Sequence, residues 1–271
     1  MPRRHPPQNT VLTARNADRH DLYQRSVQAV KWQGRFLART FEKITGRRAA
    51  SLREDFCGTA LLCAEWVGKE GCTAVGVDLD REVLAWGAEH NLAPLGERAS
   101  LVRLLRQDVR DPCRGRFDVS AALNFSYFVF RTREALRRYF AGVRRHMAGD
   151  GIFVLDAYGG YQSWRLQSER YKLRGFTYVW EQARVNPVDH MVVNHIHFEF
   201  ANGSRLYRAF TYHWRLWTLP EIRELLSEAG FSRSEVYWRD RDANGNGTAT
   251  FRPRAHVTQE PAWVAYIVAE R

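Results

Sequence analysis

Apolar residues recur along the chain with two different periods, and the switch between them sets out the architecture. Trp32, Phe36, Leu37, Phe41 and Ile44 repeat at helical spacing inside an N-terminal helical region, 17–46. From residue 51, short apolar runs alternate with amphipathic stretches. Residues 51–54 read as a strand, and Leu61, Leu62, Trp66 and Val67 mark the helix that follows. A second strand covers 72–78 and a second helix 81–91; a third strand lies within 99–108 and a fourth spans 117–125. Leu136, Tyr139, Phe140, Val143 and Met147 then share one helix face, and 151–158 is a fifth strand. This alternation predicts an α/β fold, a parallel sheet covered by helices on both faces.

After Gly160 the period falls to two. Residues 176–185, 190–200 and 205–217 alternate as an antiparallel meander, and Asn202-Gly203 is a two-residue hairpin signal. The α/β pattern resumes at Thr218-Leu219-Pro220-Glu221, a capping box. It opens a helix carrying Ile222, Leu225, Leu226 and Ala229 that stops at Gly230. Two strands near 231–238 and 262–269 complete the sheet. The expected organisation is therefore a disordered tail (1–16), N-terminal helices with the α/β core (17–160), an inserted antiparallel β-meander (161–217), and the end of the core (218–271).

Composition narrows the setting. The chain has 271 residues, 45% of them hydrophobic, enough for a sizeable core. No apolar run approaches the roughly twenty residues of a membrane span, so no membrane association is expected. The start, "MPRRHPPQNT", has no apolar h-region. Cys57, Cys63, Cys72 and Cys113 form no CxxC pair and fit reduced thiols, so a cytoplasmic protein is expected. The net charge of +11 raises nucleic acid as a partner. However, 37 of the 41 basic residues are arginines spread along the chain, which looks like base composition rather than a phosphate stripe.

Candidate chemistry begins at "LREDFCGTALLC" (52–63), a strand running through Cys57-Gly58-Thr59 into a helical pattern. Such a junction aims backbone amides at a ligand. The dinucleotide pattern G-x-G-x-x-G is absent, since only Gly58 is present. Asp78 closes the second strand twenty residues beyond Gly58, an offset that in dinucleotide enzymes serves ribose hydroxyls. Asp108 follows the third strand. Taken singly, each acid also reads as a turn or helix cap, and Cys-Gly-Thr as a tight connection.

As an ordered set, these residues resemble the class I S-adenosylmethionine-dependent methyltransferases over 51–158 and again over 218–238. Glu54-Asp55-Phe56-Cys57-Gly58-Thr59-Ala60 stands where that family carries E/D-x-G-x-G-x-G, with Phe56 and Ala60 in place of the outer glycines. The resemblance implies a Rossmann-like sheet with S-adenosyl-L-methionine as cofactor and S-adenosyl-L-homocysteine as product. It implies that Glu54, Cys57, Gly58 and Thr59 hold the methionine half. Asp78 and Leu79 would take the ribose, Asp108 and the Val109 amide the adenine, and Asn124 would line the transferring methyl. It also implies an N-terminal helix over the cofactor, which makes Tyr23 a further candidate.

The insertion is similar in placement to those of glycine or sarcosine N-methyltransferases and sugar N,N-dimethyltransferases, where it forms a lid or a subunit contact, so a homo-oligomer through the insertion is one expectation. Within it, His195, His197 and Glu199 share a strand face. They read as a metal site, a substrate-facing polar cluster or a plain solvated face. A two-residue hairpin at Asn202-Gly203 would pair His197 with Arg208 and His195 with Phe210, and a guanidinium beside the histidines opposes a cation. No metal site is therefore expected. Tyr127, two residues past the fourth strand, is the candidate positioning group, and His195 the candidate base, since imidazole titrates nearer pH 7 than a phenol. The expected function is methyl transfer to N or O of a small molecule. An RNA or cap-type methyltransferase and a non-catalytic S-adenosylmethionine-binding partner are the alternatives.

Overall fold

The computed structural model describes residues 11–271. The chain divides into two compact units, one formed by Ala29–Trp164 with Arg215–Arg271, the other by the residues up to Gln28 with Arg165–Trp214.

The larger unit is built on an eight-stranded sheet. Its parallel part comprises β1 (Ser51–Asp55), β2 (Thr73–Asp78), β3 (Val102–Arg106), β4 (Phe117–Ala122) and β5 (Met147–Gly159). Counting the smaller unit's strands in chain order as β6 to β9, the sheet is finished by β10 (Arg233–Arg241), β11 (Gly247–Pro253) and β12 (Trp263–Glu270). Spatial order is β11-β10-β12-β5-β4-β1-β2-β3, with β10, β11 and β12 antiparallel. Parallel pairing follows Leu52↔Ala74, Leu52↔Val119 and Ala122↔Leu155, which brings the ends of β1, β2, β4 and β5 to one edge. β4 is buried throughout, as a strand covered on both faces must be.

Helices α2 (Val30–Thr45), α3 (Leu61–Trp66), α4 (Arg81–Gly87), α5 (Arg133–Arg145) and α6 (Leu219–Glu228) belong to this unit. α5 buries Leu136, Tyr139, Phe140 and Val143 completely, and each such side chain is worth about 1.5–3 kcal/mol. Met147, placed on that helix face by the sequence pattern, instead opens β5. α6 has the expected capping box, with both Thr218 and Glu221 bonds formed. β11 lacks a sequence signal because it is an edge strand without a fully buried residue. The packing is tight where α4 meets the turn after β1: a Cβ at Gly87 would lie 2.3 Å from the Thr59 carbonyl oxygen.

The smaller unit carries α1 (Arg19–Val27) on a four-stranded antiparallel sheet, β6 (Gln167–Leu173), β7 (Phe176–Val185), β8 (Met191–Glu199) and β9 (Arg205–Arg215), in that order. The helical region expected over 17–46 is thus two helices, and the first packs with the insertion: Leu22 is buried with Phe176, Ile196 and Phe198. Residues 1–10 of the expected tail lie outside the described residues, while 11–16 form a turn in which the Thr13 amide donates to Asn16 and the Ala14 amide to Ser204. β6 was not expected because five of its seven residues are exposed, leaving no apolar alternation.

The β8–β9 turn falls at the expected place with a different length. The Phe200 amide donates to the Ser204 carbonyl and Gly203 has φ +80°, giving a three-residue loop closed by a left-handed glycine. Arg208 also has positive φ (49°), and its amide donates to Nδ1 of His197. The His195 ring bonds the Thr211 hydroxyl. Among the described residues no helix is long and apolar enough to cross a membrane.

Candidate active site

A cavity of about 470 Å³ opens at the ends of β2 and β3, the size of a small-ligand site. Phe56, Leu79, Val109, Val129 and Phe130 make its apolar walls, and Asp78, Asp108, Arg110, Arg131 and Thr132 supply its polar groups. Ligands of open α/β sheets bind at this edge.

Asp78 stands at the end of β2. One carboxylate oxygen accepts from the Gly58 amide at 2.8 Å and the other from the Asp80 amide at 3.0 Å. The glycine turn and the strand-two acid are thereby one unit, with lone pairs left on the carboxylate for ligand hydroxyls. Gly58 has φ +52°, and open space surrounds the position where a Cβ would stand. Leu79 is 65% exposed at the rim. Asp108 accepts from the Arg110 amide and holds that residue's guanidinium through both oxygens, at 2.9 and 2.6 Å. Arg110 holds the Asp108 carboxyl below the usual carboxylate range, so it is ionised at neutral pH. The guanidinium also lies 5.5 Å from the centre of the Phe130 ring.

Of the other cofactor candidates, Glu54, Cys57 and Thr59 are nearly or fully buried under the turn. Burial pushes the Glu54 carboxyl up to about 8, and the Cys63 thiol donates to it at 3.1 Å. The same burial drives the Cys57 thiol well above its ordinary range. Asn124 and Phe125, both at φ 58°, turn sharply after β4, and their amides donate to the two oxygens of Asp156 at 2.9 and 2.8 Å. Asp156 is 3% exposed and burial pushes it up to about 7.

The expected positioning role of Tyr127 is not met. Its ring is fully buried and its hydroxyl donates to the Asp156 carbonyl oxygen at 2.8 Å, so it secures β5 rather than facing a ligand. Tyr23 lies in the smaller unit, its ring 5.0 Å from that of Phe210. His195, in the same unit, is 5% exposed with Nδ1 at 2.9 Å from the Thr211 hydroxyl, and burial lowers its pKa. His197 has both ring nitrogens engaged, Nδ1 accepting from the Arg208 amide and Nε2 bonded to Glu181 at 2.7 Å. Among the described residues no group of three or more His, Cys, Asp and Glu is arranged to hold a metal ion.

Sequence reasoning missed Phe56 and the whole wall from Val129 to Ala135. Its one legible signal was Thr132, the N-cap of α5, whose hydroxyl accepts from the Ala135 amide.

No protein-family model matches the chain, and no curated protein is similar to it in sequence. Solved structures are similar in fold. A S-adenosylmethionine-dependent methyltransferase from Clostridium acetobutylicum ATCC 824 matches with a TM-score of 0.69 at 17% identity, covering 93% of this chain and 96% of that one. DesVI of Streptomyces venezuelae gives 0.67 at 18% identity, covering 93% and 98%. CalS10, an amino pentose methyltransferase from Micromonospora echinaspora solved with S-adenosylmethionine bound, gives 0.65 at 17% identity, covering 93% and 95%. The chain therefore has the class I methyltransferase fold, with its antiparallel sheet inserted after the fifth parallel strand.

Proposed function

We propose that this chain is a S-adenosylmethionine-dependent methyltransferase that moves a methyl group to a nitrogen or oxygen of a small-molecule acceptor. The observation that carries this reading is the cavity that joins Asp78 and Asp108 across apolar walls at the ligand-binding edge of the sheet. These residues fit the cofactor. The Asp78 carboxylate would accept from two vicinal ribose hydroxyls, Asp108 and the Val109 segment would hold an adenine, and Phe56 and Phe130 would supply apolar rings beside it. Bound S-adenosylmethionine would supply an electrophilic methyl carbon on a sulfonium. The protein's part is to orient it and exclude water.

The buried settings of Tyr127 and His195 favour an acceptor that arrives neutral and needs no strong protein base. Similar structures include an amino pentose methyltransferase, a sugar N-methyltransferase and a glycopeptide N-methyltransferase, which makes amines on sugars the first acceptors to try. A lid or subunit contact made by the insertion belongs to the same proposal.

Titration calorimetry with S-adenosylhomocysteine tests it. The wild type should bind, and Asp78→Ala should lose about 1–3 kcal/mol, the scale of charge-assisted hydrogen bonds. Equal affinity in the two proteins would sink the assignment. Addition of one methyl mass to a metabolite incubated with protein and cofactor would identify the acceptor.

A further inference from the structure

β1 carries a side chain that a central strand has no use for as packing. Arg53 is fully buried. A buried guanidinium is costly to desolvate, and an ion pair there seldom adds net stability over apolar residues of the same size. What Arg53 touches explains its presence better than stability does.

Its Nε donates to Asp55 at 2.7 Å, two residues on and so on the same face of the strand. Its Nη2 donates to the Val109 carbonyl oxygen at 2.8 Å, and its Nη1 to the Cys113 sulfur at 3.2 Å. The other Asp55 oxygen accepts from the Tyr139 hydroxyl at 2.9 Å. The Tyr139 ring packs at 5.8 Å from Phe56 and 5.0 Å from Phe130. Three walls of the cavity therefore meet on one buried charge: Phe56 directly after Asp55, Val109 beside Asp108, and Phe130 against Tyr139. β3 ends at Arg106, so the Val109 carbonyl has no ladder partner, and Arg53 supplies its donor.

We infer that Arg53, with Asp55 and Tyr139, is a positioning group that holds the Asp108–Cys113 segment in the conformation that receives the adenine half of the cofactor. It acts through Val109 and touches no ligand. This rests on the cofactor reading above, and the experiment separates the two.

The double variant Arg53→Met with Asp55→Asn removes both charges and keeps an acceptor for Tyr139. Two readouts apply, hydrogen–deuterium exchange of the ligand-free protein and calorimetric binding of adenosine. The amides of Gln107, Arg110, Asp111 and Cys113 bond to Asp78, Asp108 and His146 in the intact protein and should be protected there. In the double variant their exchange should quicken while that of β4 and β5 holds, and the adenosine Kd should rise about tenfold, equal to 1.4 kcal/mol. Unchanged exchange over 107–113, or unchanged adenosine affinity, overturns the inference. Should the wild type bind neither adenosine nor S-adenosylhomocysteine, the cofactor reading falls, while the exchange result still decides whether Arg53 holds the segment. If the double variant does not fold, Tyr139→Phe keeps the ring and loses one bond to Asp55. It should quicken the same amides to a smaller degree, and no local change there would equally overturn the inference.

Discussion

Asp78 ends β2 and Asp108 follows β3, both facing a cavity, whereas Asp55 ends β1 and Asp156 lies within β5, with 1% and 3% exposure. The residue type is the same. What differs is burial, since every one of these carboxylates has protein partners on both oxygens. Asp156 spends its two oxygens on the Asn124 and Phe125 amides, and Asp55 on Arg53 and Tyr139. Asp78 accepts two amides from turns at the cavity rim and stays open to solvent on one side. These acids thus divide into frame and contact, and burial away from the cavity marks the frame.

The widest gap between the two kinds should appear in stability. Asp55→Ala leaves Arg53 as an unpaired buried charge and should cost about 3–5 kcal/mol in urea unfolding. The cavity-facing Asp78→Ala should cost far less there, its main loss falling on ligand affinity. Similar unfolding losses for the two variants would erase the distinction.

Glu54 gives the comparison a pH axis. Its pKa is raised by burial from an ordinary 4.5 to about 8 in the folded protein. The folded state then binds more protons than the unfolded state between those values, so stability is fully present below pH 4.5 and is lost as pH rises through about 8. Glu54→Gln mimics the protonated side chain at every pH. Relative to the wild type it should gain about 1–3 kcal/mol between pH 5.5 and pH 8.5. Parallel stability profiles for the two proteins would show that this carboxyl is ionised in the fold and belongs with the contact group.

The division was only partly legible in the sequence. The alternation of runs from 51 to 158 exposes the parallel sheet because strands such as β4 are buried on both faces and must be apolar. Asp78 and Asp108 were readable because a carboxylate directly after an apolar run is a local signal. Tyr127 misled for the same reason: a tyrosine two residues past a strand looks exposed, and only the fold shows Asp156 taking its hydroxyl. Edge strands β6 and β11 have no buried face to write a pattern. Arg53 was hidden because its partners, Val109 and Cys113, lie 56 and 60 residues away.

The smallest expected effect concerns Tyr127 itself. Its hydroxyl is pushed well above the ordinary phenol range by burial, so it stays protonated and can only donate. Tyr127→Phe keeps the ring among Phe128 and Phe140 and removes one hydrogen bond to the Asp156 carbonyl. The loss should be about 1 kcal/mol of stability, the net worth of one buried hydrogen bond. Turnover on an identified acceptor should stay near wild type across pH 6 to 9, because a group without solvent contact has no proton to exchange with an acceptor. A drop in turnover with unchanged cofactor affinity and unchanged stability would instead move Tyr127 from frame to contact. It would also mean that the strand-four turn opens during the reaction.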